Sequence, residues 1–162
     1  MIPLIYYPNQ ILRQTSKRIT PLSDKQLDKL VLEMKESMVG HEGIGLAAPQ
    51  IGKNIKLFVA TGDGKNIETF INPMIIKRSR QQIDFEEGCL SIPGVYGIVK
   101  RPERITISYR DAEKHLRLRT FDGLWARVIQ HEYDHLFGIL FTDLTKTITK
   151  GHELLEKYDS NS

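Results

Sequence analysis

The segment His131-Glu132-Tyr133-Asp134-His135 has the spacing of a metal-binding motif. Histidines four residues apart on a helix point in the same direction and can bind one metal ion together. Glu132 lies about 100° around such a helix from His131, where a carboxylate can take a proton from water beside the ion. The alternative is a pair of core histidines bonded to carbonyl groups, with Glu132 in solvent. A chance His-Glu-x-x-His match occurs in about one chain in a hundred of this length.

The helix expected around this motif has one apolar face. Leu124, Val128, His131 and His135 fall within a stripe roughly 60° wide, so both imidazoles continue that face toward the core. Each buried imidazole leaves a polar nitrogen in need of a partner, and one shared cation supplies both. We therefore expect one divalent metal ion between the two histidines.

A catalytic site of this type takes three protein ligands and keeps one position open for water. His41, His115, His152 and several carboxylates are candidates for the third ligand. Cys89 is favoured, because this single cysteine lies in the polar, glycine-containing segment 86–91, a poor place for a merely buried thiol. The alternatives are a small buried side chain and a cysteine nucleophile activated by histidine, which leaves the second histidine without a role.

The glycines of residues 43–48 formally match the G-x-G-x-x-G/A pattern of dinucleotide-binding loops. That pattern needs a strand before it and a helix after it, whereas here a predicted helix precedes it and Pro49 obstructs a following helix. The loop therefore does not predict a nucleotide site. Closely spaced glycines instead allow backbone to approach a ligand and to pair with a peptide. Gln50 is either an ordinary loop residue or a donor that holds the oxygen made negative when water adds to a carbonyl.

The positions of apolar residues predict two helices and two β-hairpins, with a glycine- and proline-containing loop over residues 41–53. The first helix is amphipathic, with Ser23 opening a capping box and Gly40 as its stop. The second helix has Asp122 as its cap and ends at Gly138. The predicted bounds are residues 23–38 and 124–137 for the helices, 55–61 with 67–72 for the first hairpin, and 104–110 with 115–121 for the second.

Length and composition predict one compact domain. The chain has 162 residues, 40% of them hydrophobic, which is enough for one continuous core. We assign residues 1–145 to a single catalytic domain. Residues 146–162 are expected to be a polar C-terminal tail, helical around Leu154 and Leu155 and otherwise frayed or disordered.

The opening sequence and the composition also predict where the protein is located and which kinds of partner it binds. The opening sequence MIPLIYYPNQ fits neither a signal peptide nor a transit peptide, and no apolar run reaches the length of a bilayer span. A cytoplasmic protein without a membrane partner is expected. The net charge of +3 comes from charges of both signs mixed along the chain, so it does not indicate nucleic-acid binding.

Residues 43–50, 87–91 and 131–135 together resemble the three motifs of the peptide deformylase family, in that family's order. The resemblance runs from residues 8–13 to about Asp143, and three motifs at compatible spacing are far more specific than one. It implies an α+β fold with antiparallel strands around a central metal-binding helix, and with an N-terminal amphipathic helix. It also implies a metal-dependent hydrolase that removes the formyl group from the formylmethionine of newly made polypeptides and releases formate.

The resemblance assigns catalytic roles to individual positions. Glu132 is expected to transfer protons, and Gln50 and the backbone N–H of Leu90 are expected to stabilise the oxyanion. The family's native ion is typically ferrous iron, and zinc, nickel or cobalt can occupy the site. Fe(II) is therefore the expected ion, although the ligand types alone do not select among divalent metals. The implied metal ligands are Cys89, His131 and His135.

The expected partners are N-formylmethionyl peptides and nascent chains, with the ribosome surface as a further candidate. Arg127 is either a substrate contact or a surface arginine on the flank of the second helix. Glu42 and Arg101 are expected to pair beneath the site. Tyr96 stands where a well-known subclass has arginine, so the preference beyond methionine is not fixed. The expected substrate-binding residues are Gly43, Ile44, Gly45, Glu87, Gly88, Leu124, Arg127 and Val128.

Two other functions fit part of the same pattern. A metallopeptidase shares the His-Glu-x-x-His helix and cleaves internal or unformylated peptide bonds. A binding module stabilised by a structural zinc ion uses the same three ligands without catalysis. Comparing formylated with unformylated peptides separates a deformylase from the first, and the activity of Glu132→Gln separates it from the second.

Overall fold

The computed structural model describes residues 1–161 and contains four α-helices and two β-sheets of antiparallel strands. A five-stranded sheet has the order β1-β2-β3-β6-β7, and a three-stranded sheet has the order β4-β5-β8. Helices therefore combine with antiparallel sheets, as predicted for the α+β class. The strands are β1 (Gly45–Ala47), β2 (Leu57–Ala60), β3 (Glu68–Arg78), β4 (Gln82–Cys89), β5 (Ile92–Pro102), β6 (Arg104–Arg110), β7 (Leu116–Asp122) and β8 (Thr147–Lys150); the helices are α1 (Lys25–Gly40), α2 (Gly123–His135), α3 (Phe141–Leu144) and α4 (His152–Ser160).

Helix α1 packs its apolar face against residues of β1 and β2. Its cap is Asp24, whose side chain accepts a hydrogen bond from the backbone N–H of Gln26 at 2.8 Å. The predicted cap, Ser23, is wrong by one residue, because serine and aspartate are about equally good caps and the pattern alone does not choose between neighbours. The residues of the buried face are Leu27, Val31, Met34 and Met38.

Both predicted hairpins are confirmed: β2 pairs with β3, and β6 pairs with β7. The hairpin of β4 and β5 was not predicted, and residues 86–91, interpreted as a polar turn, are mostly the end of β4. Strand β4 is exposed along most of its length, including Ile83 and Phe85, which alternate with polar residues only over the five positions 82–86. Cys89 thus ends a strand and precedes a tight turn.

Helix α2 lies against the five-stranded sheet, where Ala126, Ile129 and Leu136 pack with Phe58 and Phe70. Asp122 occupies the predicted N-cap position, but its side chain makes no capping hydrogen bond. Gly138, the predicted stop, follows the helix with φ +70°, and a Cβ there would overlap the backbone of Arg13. No helix within residues 1–161 is long and apolar enough to cross a membrane.

The segment predicted to be a frayed tail is folded through residue 160. Strand β8 pairs with β5, and the predicted helical turn is part of α4. Leu155 and Tyr158 pack against a cluster that contains Ile92 and Val95, and the Tyr158 hydroxyl donates to the carbonyl of Pro93 at 3.1 Å. With few apolar residues in this segment, its sequence does not reveal these long-range contacts. The last residue, Ser162, lies outside the described part.

Candidate active site

Cys89 Sγ and one ring nitrogen each of His131 and His135 lie within 4.8 Å of one another. Cys89 ends β4, which belongs to the three-stranded sheet, and both histidines lie on α2, which packs against the five-stranded sheet. The candidate site therefore lies where these two parts of the fold meet. The distance from Cys89 Sγ to His135 Nε2 is 3.4 Å, and the two imidazole centres are 5.2 Å apart. One thiol and two imidazoles form a donor set suited to a divalent transition metal. The fold thus brings the three predicted ligands together.

Glu87 orients His131. Its carboxylate is buried, and Oε1 accepts a hydrogen bond from His131 Nδ1 at 2.9 Å. With Nδ1 engaged in this way, Nε2 of His131 is the nitrogen left to bind an ion. Burial acts to raise the pKa of Glu87, yet hydrogen bonds from His131 and Arg101 hold it well below its usual range. The carboxylate is therefore committed to the protein, and only the Glu87 backbone remains for substrate.

Two buried arginines neutralise Glu87. Arg101 donates from Nε and Nη2 to the two carboxylate oxygens, at 2.6 and 2.9 Å, and from Nη1 to Asp134 at 2.8 Å. The expected pair of Glu42 with Arg101 is wrong, because Arg101 faces the buried acid of the adjacent strand. Arg127 donates to Glu87 Oε2 at 2.8 Å and to two backbone carbonyls. Arg127 is thus a buried residue that binds the protein, not a surface arginine.

The pKa values of the two imidazoles are shifted in opposite directions. Burial lowers the pKa of His131, yet hydrogen bonds with Cys89 and Glu87 raise it well above its usual value. Burial, together with the nearby charge of His131, lowers the pKa of His135 well below its usual value. Nδ1 of His135 and Oε2 of Glu132 are buried without a hydrogen-bond partner in residues 1–161. Such atoms are rare in native proteins. Neither is a candidate ligand atom, because His135 presents Nε2 to Cys89 and Glu132 is not one of the three candidate ligands.

Glu132 lies directly over Gly45. Its side chain is buried, and burial raises the pKa of its carboxyl to about 7, with the charge of His131 acting in the opposite direction. A Cβ at position 45 would overlap Oε1 of Glu132, so the glycine of the loop motif leaves room for the acid. A carboxyl group with this pKa can both accept and donate a proton near neutral pH.

Gln50 is buried with its amide in a fixed orientation. Its Oε1 accepts a hydrogen bond from the backbone N–H of Ala47 at 2.8 Å, which leaves Nε2 as the donor on the other side. Nε2 donates to Ser91 Oγ at 3.2 Å and lies 3.5 Å from Cys89 Sγ. A donor this close to the three candidate ligands suits the oxyanion role predicted for it. Leu90, in the turn after Cys89, lines the same pocket.

A pocket of about 480 Å³ opens onto these groups. Its wall includes Ile44 and Leu124, each about half exposed, and Val128, which is buried. Strands β1 and β4 border the pocket and are edge strands of their sheets, so each has one unpaired backbone edge. All of the predicted substrate-binding residues line this pocket: Gly43, Ile44, Gly45, Glu87, Gly88, Leu124, Arg127 and Val128.

Comparison with known proteins identifies the family. Residues 1–151 match the family model described as polypeptide deformylase. The chain belongs to the polypeptide deformylase family. A peptide deformylase of Picosynechococcus is 45% identical over 146 residues, which are 88% of this chain and 78% of that protein. The crystal structure of a Synechococcus elongatus peptide deformylase in complex with actinonin is similar with a TM-score of 0.88 and 38% identity, over 99% of this chain and 85% of the other.

Polypeptide deformylases are metal-dependent hydrolases that act on the formyl amide of N-formylmethionyl peptides, and this member is a hydrolase of the same class. The family extends to organelles: a chloroplastic peptide deformylase 1B of rice is 40% identical over 166 residues. That relative is longer, and the present chain spans 61% of its length.

The other histidines considered as third ligands lie away from the candidate metal site of this deformylase family member. His41 lies near the carbonyl of Ile2, and His115 and His152 are exposed, so none of them approaches Cys89.

Sequence reasoning missed the partners of Arg101, although a signal was present: Val95, Val99 and Arg101 alternate inward along β5. An arginine that continues a buried face of a strand predicts a buried acid opposite it.

Proposed function

We propose that this pocket removes the formyl group from N-formylmethionyl peptides, with Cys89, His131 and His135 holding one divalent cation. The observation that carries the proposal is the convergence of one thiol, two imidazoles and an unpartnered buried carboxylate, Glu132, beside a half-apolar pocket. In this proposal α2 is the central metal-binding helix of the catalytic domain. Strand β8 and helix α4 pack onto this domain, beyond the predicted boundary at residue 145.

In the proposed reaction, each group of the site has a separate role. Cys89, His131 and His135 would hold the cation, which when bound would supply a lower pKa for a nearby water molecule and polarisation of the formyl oxygen. Glu132 takes the proton of the attacking water and passes it to the leaving amine, so that formate and a free N-terminus result. Gln50 Nε2 and the backbone N–H of Leu90 donate hydrogen bonds to the oxygen that becomes negative. Glu87 keeps His131 in the orientation that leaves Nε2 available.

Substrate binding follows from the pocket wall. Ile44, Leu124 and Val128 offer an apolar surface for the methionine side chain. The peptide backbone would pair with the free edges of β1 near Gly45 and of β4 near Gly88, as an added strand. A Cβ on Gly88 would overlap the ring of Tyr96, so the backbone at this edge is open only because the residue is glycine.

The ion we propose is Fe(II), and Zn(II), Ni(II) or Co(II) would fit the same donors. The proposed partners are newly made chains that begin with formylmethionine, processed in the cytoplasm at or near the ribosome surface, without a nucleotide cofactor or membrane contact. Metal content measured after anaerobic purification tests the identity of the ion.

The deciding assay compares three peptides that differ only at the N-terminus: formyl-Met, acetyl-Met and free-amine Met. We expect turnover of the formyl peptide alone, because acetyl adds a methyl group to the reacting carbon and the free amine lacks the scissile amide. Cleavage of internal bonds, or equal turnover of all three peptides, would support the metallopeptidase instead.

Glu132→Gln separates a catalytic site from a structural zinc site. The substitution keeps the shape of the side chain and removes its ability to take a proton, so we expect metal content and fold to persist while kcat falls by roughly 10²–10⁴-fold. A Glu132→Gln protein that retains its metal and its full kcat would overturn the proposed role.

A further inference from the structure

Helix α1 covers only half of one face of the five-stranded sheet. Its apolar side packs on Leu46, Val59 and Ile71, which lie on β1, β2 and the first part of β3. The second half of that face is formed by the rest of β3 and by β6 and β7. On the reverse side of these strands, Ile107 and Phe121 pack with residues of α2. The half beside α1 therefore faces away from α2 and from the candidate active site.

Large apolar side chains are exposed on this second half. The strand register places Met74 of β3 and Leu118 of β7 on either side of Ser108 of β6. Met74 and Ile76 are 58% and 53% exposed, and Leu116 and Leu118 are 63% and 65% exposed. We call these five residues the open face. Soluble monomers rarely expose an apolar patch larger than roughly a few hundred Å², so a patch of this kind indicates an interaction surface.

Helix α1 rises beside the open face as a wall about 10 Å high. Leu32 and Val39, seven positions apart, lie on one side of this helix and are 63% and 60% exposed. Leu32 and Lys35 line a groove of about 520 Å³ between α1 and the β6–β7 turn, so this side of the helix faces the open face. Beyond β6, the open face ends at β7, an edge strand with one unpaired backbone edge. The surface thus has the shape of a step, low over β6 and β7 and high over α1.

We propose that the open face binds the open face of a second copy of this chain, as the interface of a two-fold symmetric dimer. A step is complementary to itself after a two-fold rotation. The two sheets would stack about 10 Å apart, and α1 of each copy would lie against the β7 edge of the other. This inference does not depend on the proposed function, because it concerns the side of the sheet opposite α2.

The area of the step fits a stable dimer. Three strands of about seven residues span about 14 by 24 Å. The flank of α1, a helix of 16 residues, and the edge of β7 each add a wall of about 24 by 10 Å. These surfaces together approach the roughly 800 Å² that each partner buries in a stable interface.

The charges at one end of the open face favour this orientation. Lys77 lies on β3 and Asp122 on β7, at the same end of the strands and on opposite sides of β6. A two-fold axis along β6 exchanges β3 with β7, so it brings Lys77 of each copy toward Asp122 of the other. Arg104 lies 3.7 Å from Asp122, and both side chains are exposed. At the opposite end, Arg110 Nη1 donates to the carbonyl of Lys114 at 3.2 Å, so its guanidinium turns toward the β6–β7 connection.

The first experiment measures the oligomeric state of the full chain by sedimentation equilibrium from about 1 to 100 μM, since interfaces of this size have micromolar or smaller dissociation constants. We expect a dimer. Leu118→Glu should raise its dissociation constant by roughly 100-fold or more, because the symmetry places two unpaired charges in an apolar interface. Leu144→Glu, at a 43% exposed position of α3 outside the open face, is the matched control and should leave the constant unchanged. Circular dichroism should show the native fold in both variants.

A charge exchange tests the orientation of the two copies. Lys77→Glu and Asp122→Lys should each raise the dissociation constant by about fivefold at low salt, and the double variant should restore it. Failure of this restoration would overturn the two-fold arrangement.

A wild-type protein that stays monomeric at the highest concentration, or a dimer that Leu118→Glu does not weaken, would overturn the proposal. Monomeric protein that sediments with vesicles of phosphatidylglycerol, and that loses this binding in Leu118→Glu, would assign the open face to a membrane surface and would also overturn the dimer.

Discussion

Replacing Glu87 by glutamine removes one negative charge from the centre of a buried cluster of cations. In the native protein, Oε2 accepts hydrogen bonds from Arg101 and Arg127, and Oε1 accepts from Arg101 and His131. An amide has one acceptor oxygen and one NH₂ group. In either orientation, the NH₂ group of the glutamine would point at two donors that bind a carboxylate oxygen in the native protein. If the NH₂ group faces His131, the ring must turn, or its proton must move to the nitrogen left for the ion.

The expected magnitude follows from this geometry. Removing one partner of a buried ion pair costs about 3–5 kcal/mol of unfolding free energy. Because small domains have about 5–15 kcal/mol in total, the Glu87→Gln protein should still fold, with a much smaller margin. Loss of the partner that orients a metal-binding histidine weakens metal affinity by about 10–100-fold. Glu87→Gln should therefore lower both stability and metal affinity.

Two measurements test this prediction: the free energy of unfolding from urea titration at a fixed metal concentration, and the dissociation constant of the metal from a competing chelator. Asp84→Asn is the matched control, since it removes an exposed acid from the same strand and should change stability by less than about 0.5 kcal/mol. A Glu87→Gln protein with native metal affinity and a stability loss below about 1 kcal/mol would refute the assigned role of Glu87.

Three further predictions follow from other contacts. Gly45→Ala places a methyl group against Glu132 and should lower kcat by roughly 10- to 100-fold with the fold retained by circular dichroism; an unchanged kcat would contradict the close packing. Leu155→Ala should reduce the free energy of unfolding by about 1–2 kcal/mol, because Leu155 packs against the core. The control Glu153→Ala, at an exposed position of the same helix, should reduce it by less than about 0.5 kcal/mol. Equal losses of the two variants in urea titration would contradict the packing of α4 against the core. Removing the metal with a chelator should abolish formyl-peptide hydrolysis, and anaerobic Fe(II) should restore it; activity in protein shown to be metal-free would exclude metal dependence.

That Cys89, His131 and His135 lie together was the most predictable feature of the candidate site. The spacing of His131 and His135 defines both a helix and the direction of its side chains, so a local pattern was sufficient. The hairpins of β2 with β3 and of β6 with β7 were predictable because each has one buried face and a turn-rich connection. Cys89 was predictable only by elimination, since its neighbours do not identify its strand.

The second layer of the site was not predictable, because its contacts join residues far apart in the sequence. Glu87 and His131 are 44 positions apart, and Arg101 and Asp134 are 33 apart. No local period links such pairs, and a charged residue is exposed by default in a sequence pattern. Strand β4, strand β8 and the full length of α4 were missed for a related reason: exposed strands and a short helix with few apolar residues are stabilised mainly by tertiary contacts.

Cys89 lies on a hairpin of the three-stranded sheet, and the two histidines lie on a helix packed against the five-stranded sheet. A chain in which this hairpin and this helix are not in contact brings together at most two of the three donor atoms. Under the proposed function, two donors would chelate a divalent ion less tightly than three, so the proposed hydrolysis would need both elements in their native positions.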